Sequence, residues 1–441
     1  MLQSKLLKNS ALSVAAITLV TIPSAAASPD ASYIFNTLLF LLGGILVMWM
    51  AAGFAMLEAG LVRSKNVAEI CLKNVSLYAL ACIMWMLMGY DLMYTGVDGG
   101  FVGTFFSLWS PNDAAALAEG AQIDPAGYSA GSDFFFQMVF VATTASIVSG
   151  TVAERIKLFP FLIFTAVLAG FIYPVQGAWK WGAGWLDAAG FVDFAGSTIV
   201  HSVGGWAALI GAIVVGPRLG RYTDRGIKPM PGSSMPLATL GTFILWMGWF
   251  GFNGASQLAL GSVADSVAIS NIFVNTNMAA AGGSFAAILV TKLIYKKVDL
   301  SMALNGALAG LVSITAGPDT PTPVMATVIG SVGGALVVFA VPFFDKLKID
   351  DVVGAVSVHL VCGVWGTLAV PLTNQDATFF AQLQGVLAVG AFVCAASLVT
   401  WLALKYTLGV RLDPLDEERG SDIAELGMEA YPEFGKGSQK F

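Results

Sequence analysis

Long apolar runs recur from about residue 34 to residue 408, separated by short polar connections. The pattern predicts helices near 34–60, 67–94, 132–154, 158–178, 197–217, 236–257, 268–295, 301–317, 324–344, 352–372 and 382–408. A helix of about 20 apolar residues crosses the hydrocarbon core of a bilayer. About eleven such segments therefore read as transmembrane helices of one all-α integral membrane protein.

Basic residues set the expected orientation. Arg63 and Lys65 follow the first run, Arg155 and Lys157 the third, and Arg218, Arg221, Arg225 and Lys228 the fifth. Lys292, Lys296 and Lys297 follow the seventh, Lys346 and Lys348 the ninth, and Arg411 and Arg419 the last. The alternate connections 95–131, 258–267, 318–323 and 373–381 contain no Lys or Arg, and only Lys180 breaks the alternation. The positive-inside rule then puts the amino terminus outside and the carboxyl terminus inside, as an odd number of spans requires.

The chain has two histidines. His201 lies in V-H-S-V-G-G-W and His359 in V-H-L-V-C-G-V-W-G. Five spans end at the helix of the first and five more at the helix of the second. An odd count per half turns the second half over relative to the first, so the paired motifs predict inverted five-helix repeats plus a final helix. Trp49-Met50 with Gly53-Phe54, and Trp246-Met247 with Gly251-Phe252, are weaker echoes. In inverted repeats the working site lies near the midplane between the halves, where the histidines are expected to meet.

Composition narrows the class further. The chain is 56% hydrophobic and 11% charged, which excludes an ordinary soluble domain. No basic patch with interleaved aromatics points to nucleic acid. Cys71, Cys82, Cys362 and Cys394 all fall in apolar runs without metal or disulfide spacing. Lys5 and Lys8 precede the apolar core Ala11 to Ile22, then Pro23 and the small run Ser24 to Ala27. That order predicts a signal peptide over 1–27, with an uncleaved anchor as the alternative. A transmembrane domain over 28–410 and a polar, acidic tail over 411–441 follow. The tail reads either as solvated chain or, through Ile423, Leu426, Met428 and Tyr431, as a segment docked on the inner face.

The candidate chemistry centres on the histidines. An imidazole donates from one nitrogen and accepts at the other, so a bonded pair in an apolar path can pass a proton. No third ligand of suitable spacing supports zinc, and no nucleophile–base pair supports an enzyme. Asp193 is placed to cap the helix of His201 or to contact a cation. Glu58 and Glu154 lie near inner ends, interfacial or paired with Arg63 and Arg155. Phe136 and Phe140 share a helix face. Trp179 and Trp181 fit an interfacial belt. Ser256 ends the run W-F-G-F-N-G-A-S as a helix-end hydroxyl.

D-F-A-G-S-T-I-V-H-S-V-G-G-W-A-A-L resembles the signature of the ammonium transporter family. So do F-Q-M-V-F ahead of V-A-E-R, W-F-G-F-N-G-A-S, and V-H-L-V-C-G-V-W-G, in order from Tyr33 into the tail. The resemblance implies a homotrimer in the cell inner membrane, each subunit with its own pore, serving ammonium uptake without a cofactor. Trp181, Phe140 and Ser256 resemble an outer ammonium site, with the Ala195 carbonyl contributing and Asp193 shaping the loop. Phe140 and Phe252 match a stacked gate, Trp249 lines the path, and His201 and His359 match twin pore histidines. The tail resembles a regulatory terminus, and some relatives receive a PII-type protein at this face. The segment V-V-G-A-V-S-V-H departs from the shorter acid-to-histidine link of many bacterial members, so the second-half acid is Asp350 or Asp351. The resemblance implies that the ion is split, ammonia passes the bore, and the proton travels through the imidazoles. A Rhesus-like neutral gas channel and a membrane ammonium sensor are the competing functions.

Overall fold

The structure, a computed structural model, describes residues 29–120, 124 and 127–434. The predicted signal peptide over 1–27 and the last residues of the tail, 435–441, lie outside the described residues. Nine helices among the described residues are long and apolar enough to cross a membrane: α1 (Asp30–Leu61), α2 (Ser64–Tyr94), α3 (Ala130–Thr151), α4 (Leu158–Ala178), α5 (Ser197–Val215), α6 (Met235–Gln257), α7 (Val263–Tyr295), α9 (Pro323–Lys346) and α11 (Phe379–Thr407). Two shorter apolar helices, α8 (Leu300–Ile314) and α10 (Val356–Leu372), complete the expected eleven.

Several of these helices start on a short polar side chain that accepts the backbone N–H three residues on. Ser129 does this for α3, Ser262 for α7, Asp299 for α8, Thr322 for α9 and Thr378 for α11. Such caps satisfy donors that the helix itself leaves free. Predicted ends move where a local contact intervenes. α3 stops at Thr151 rather than 154, because Glu154 adopts φ +70° and turns the chain. α10 begins at Val356 rather than 352, because residues 352–355 form the loop that its capping acid holds.

The halves interlock. α1 packs along α6, and α7 packs against α8 and α9. The approach is close enough that a β-carbon at Gly241 would fall on the Leu57 backbone, and one at Gly334 on that of Gly283. Glycine here exchanges side-chain volume for backbone contact between helices. On α5, Gly204 meets Ile147 and Gly211 meets Trp401.

One end of the bundle carries the basic connections, and their side chains are largely consumed by ion pairs. Arg218 binds Asp350 through two contacts of 2.8 and 2.9 Å, and Glu154 at 3.3 Å. Arg63 binds Glu154. Glu58 is not its partner: that carboxylate turns inward to Asn74 and Ser149. Arg155 does not pair with Glu154 either. It donates to the carbonyls of Thr151, Ala153, Gly216 and Asp350 at 2.6–3.0 Å. Burial pushes the Asp350 carboxyl up, but the hydrogen bonds from Arg218 and the charges of Arg155 and Arg218 outweigh it and hold the group down at about 2. Glu154 is lowered by the same balance of burial against Arg218 and Arg63.

The tail docks on this end as far as Tyr431. Glu417 accepts from Arg411 and from the Leu219 N–H, and Lys65 donates to the Glu417 carbonyl. Ser421 donates to Asn66 at 2.9 and 3.0 Å, Asp422 accepts the Glu69 N–H at 2.8 Å, and Glu425 accepts the Leu158 N–H. Of the apolar residues expected to dock, Tyr431 packs beside Val62, Val67 and Ile70, whereas Met428 is exposed. Carboxylates and a serine hold the tail more than its apolar residues do.

Candidate functional site

Two helices of the bundle start differently from the rest. α5 and α10 both open on a π-helical turn, Ser197–Ser202 and Val356–Val361, and each turn carries a histidine near its end. Single π-turns widen the helix locally and are frequent at functional sites. A carboxylate anchors each start. Asp193 accepts the N–H groups of Gly196, Ser197, Thr198 and Ile199 at 2.9–3.0 Å. Asp351 accepts those of Ala355, Val356 and Ser357, and the Thr151 hydroxyl at 2.9 Å. Between acid and helix, Gly196 (φ +109°) and Gly354 (φ +83°) supply the left-handed residue that the bend needs.

The open choice between Asp350 and Asp351 is thereby settled. Asp351 is the capping acid and Asp350 belongs to Arg218. The signal was present in the chain: D-x-x-G precedes each histidine, and the acid-to-histidine step is eight residues in both cases (201 − 193 and 359 − 351). Burial pushes both carboxyls up to about 6 against the pull of their N–H donors.

The two imidazoles meet at the centre of the bundle, with Nδ1 to Nδ1 at 3.1 Å. His201 is fully buried and His359 is 4% exposed. Aromatic rings extend from the pair in both directions. Phe252 and Trp249 stack on His201 at 5.3 and 4.9 Å between centroids, and Phe140 lies 4.1 Å beyond Phe252. Phe54 lies 6.3 Å from His359 on the other side. The Gly-Phe echoes on α1 and α6 thus place one phenylalanine beside each histidine. Trp249 is held by its Nε1–H, which donates to the Thr315 hydroxyl at 2.8 Å.

Beyond Phe140, at the end opposite the basic connections, lies a cavity of ≈ 340 Å³. Trp181, Phe140, Phe136 and Ser256 line it, as do Tyr90, Tyr128 and Asp133. Trp181 stands edge-on to Phe140 at 6.0 Å, and its Nε1–H donates to the Asp193 carbonyl at 2.9 Å. It is therefore part of the cavity wall and not of an interfacial belt. Trp179 is also buried and donates to the Phe101 carbonyl. The Ser256 hydroxyl donates to the Phe252 carbonyl at 2.8 Å, which leaves its oxygen free to accept from a guest. Ala195 is set back: its neighbour Phe194 reaches the cavity, while its own N–H donates to the Thr315 carbonyl. Sequence reasoning missed Asp133, the acid of the wall, which is bonded to the Tyr90 hydroxyl and to Gln137. Its place in S-D-F-F-F-Q, one turn ahead of Phe136 and two ahead of Phe140, was the available clue.

The arrangement is an aromatic, partly acidic cup, a ring-lined constriction, and a bonded imidazole pair in one line. No group of three or more metal-ligating side chains occurs among the described residues.

Comparison with known proteins agrees with this arrangement. The pattern of the Ammonium Transporter Family matches residues 38–431. A putative ammonium transporter of Synechocystis sp. is 41% identical over 409 residues, covering 90% of each chain. The ammonium transporter Amt2 of Archaeoglobus fulgidus is 37% identical over 427 residues, covering 89% of this chain and 87% of that one. Among solved structures, one described as a sensor Amt protein superposes with a TM-score of 0.83 at 36% identity, over 90% of this chain and 100% of that one. Mep2 of Candida albicans superposes with a TM-score of 0.78 at 26% identity, over 92% of each chain. By sequence and by fold, this chain belongs to the Ammonium Transporter Family, a family of multi-pass membrane transporters rather than enzymes.

Proposed function

We propose that the chain takes up ammonium by splitting it: the ion is recruited at the aromatic cup, ammonia passes the bore, and the proton crosses through His201 and His359. The observation that carries this reading is the 3.1 Å contact between two buried imidazoles in an otherwise ring-lined path. Ammonium has four donors and no acceptor. The faces of Trp181 and Phe140 attract a cation, and Ser256 accepts a hydrogen bond from it. Asp193 holds the loop that positions Trp181, and we assign the Ala195 carbonyl, on the same loop, as a further acceptor. Moving the bare ion past Phe140 and Phe252 would cost several kcal/mol or far more without compensating ligands. Ammonia crosses at much lower cost, and potassium has no proton to give up. The basic end faces the cytoplasm, the protein works as a homotrimer in the inner membrane, and the tail over 411–441, docked through its first part, is its regulatory surface, where a PII-type protein binds.

His201→Ala and His359→Ala test this reading. Each is expected to remove most of the ammonium-driven current from proteoliposomes, or to open the bore to potassium. Wild-type current and selectivity in both variants would leave the pair as packing residues.

A second reading, a membrane sensor that signals through its tail, draws on the likeness to a sensor Amt protein and on the docked tail. Flux through the purified chain in liposomes separates the two: a sensor without transport passes no ammonium.

A further inference from the structure

On α6, Phe252 is followed four residues later by Ser256; on α1, Phe54 is followed four residues later by Glu58. Each phenylalanine stands beside one histidine, so Glu58 occupies at the inner mouth the place that Ser256 holds at the outer one. Glu58 and His359 line the same narrow cavity, with ≈ 10 Å³ open to the centre of a water molecule. That is about the space one water needs.

Glu58 is 1% exposed. Its Oε2 accepts from the Ser149 hydroxyl at 2.8 Å and from the Asn74 amide at 3.1 Å. Its Oε1 is buried without a hydrogen-bond partner among the described residues. A buried carboxylate oxygen left without a donor costs stability, and no ion pair accounts for this one, because Arg63 is engaged by Glu154. The other ionisable groups nearby are on α2. Lys73 donates to the Ser149 carbonyl at 3.2 Å and lies 3.9 Å from Glu69.

We propose that Glu58 accepts the proton that leaves His359 at the inner end of the bore. This rests on the proposed relay through the imidazole pair. In the step, an N–H bond of protonated His359 breaks and an O–H bond on Glu58 forms, by way of one bridging water. The carboxyl then yields that proton to ammonia leaving the bore. Its O–H bond breaks, the fourth N–H bond of ammonium forms, and Glu58 returns to the carboxylate. Serine suffices at the outer mouth, where the ion arrives already protonated. An acid is needed at the inner mouth, where ion and proton are reunited.

The test uses the full chain in proteoliposomes under ammonium jumps, comparing Glu58→Gln, Glu58→Asp and His201→Ala. Glu58→Gln keeps the size and can still bond Ser149 and Asn74. Its maximal current is expected to fall at least tenfold, with half-saturation within about twofold of wild type. Glu58→Asp is expected to restore at least a third of the current. Wild-type maximal current in Glu58→Gln overturns the proposal, as does an equal loss in Gln and Asp variants with shifted half-saturation, which marks a structural role. If Glu58→Gln keeps its current while His201→Ala loses it, the relay stands and only the role of Glu58 falls. If both keep it, the relay itself falls. Should the Gln variant not assemble, Glu58→Leu with Asn74→Leu removes the buried polar pair together and is read by the same two quantities.

Discussion

The helices of His201 and His359 share a construction and differ in what surrounds it. Both begin with an acid, a left-handed glycine and a π-turn, and both histidines sit eight residues past the acid. At the first, the loop is tied to the wall of the aromatic cup through Trp181 and the Asp193 carbonyl. At the second, Asp351 takes the Thr151 hydroxyl, and the adjoining Asp350 ties the loop to Arg218 and Arg155. The repeat therefore reproduces the geometry that aims an imidazole, while the residues outside it make the two mouths chemically different. One mouth is lined by rings, the Ser256 hydroxyl and Asp133, and the other by carboxylates paired with arginines.

Removing a cap breaks the shared part. Asp193→Ala would strand four buried N–H groups at about 1–3 kcal/mol each, partly offset because a carboxylate is no longer buried. A net loss on the order of 4 kcal/mol is expected in thermal unfolding of the purified protein. Asp351→Ala strands three N–H groups and should cost less; an equal or greater loss would show that the second loop depends more on its acid than the first.

The arginine side of the comparison is tested at Arg218. Arg218→Ala leaves Asp350 and Glu154 buried with one fewer cation, at a cost of about 3–5 kcal/mol. Asp350 is held below its unfolded value, so its contribution is present above pH of about 4 and is lost as pH falls toward 2. Acid unfolding of wild type should show that loss, and Arg218→Ala should show a shallower one. Equal slopes would remove Asp350 from the account.

The smallest effect is expected at the aromatic mouth. Trp181→Leu removes about 1–2 kcal/mol of cation–π attraction, roughly a tenfold rise in half-saturating ammonium. Stability should change less than in any of the three variants above, although the bond to the Asp193 carbonyl is lost. Unchanged transport kinetics would place recruitment elsewhere in the cup.

The eleven helices were legible because apolar length and charge interruption are properties of single segments. The histidine pairing was legible because two similar motifs stand in a chain with no other histidine. What escaped depends on which segments meet. Glu58 and Arg63 are five residues apart, yet the acid faces Ser149 and the base faces Glu154, each 91 residues away. A pairing of Arg63 and Arg155 with Glu58 and Glu154 is open in the sequence, but which acid each base meets, and the burial of Arg218 against Asp350, depend on the loops of both halves. Asp133 stayed hidden because an acid in a first helical turn is ordinary; only the rings gathered round it set it apart.

The docked tail has a consequence for the order in which the molecule is made. Ser421 and Asp422 are held by Asn66 and Glu69, 355 and 353 residues earlier in the chain. Leu158 and Leu219 supply further N–H groups to Glu425 and Glu417. These contacts gather three early loops under a late segment of the chain. The clasp can close only when every helix between is already in place, so its closure reports an assembled bundle, and a ribosome product ending before Asp413 leaves those loops unfastened.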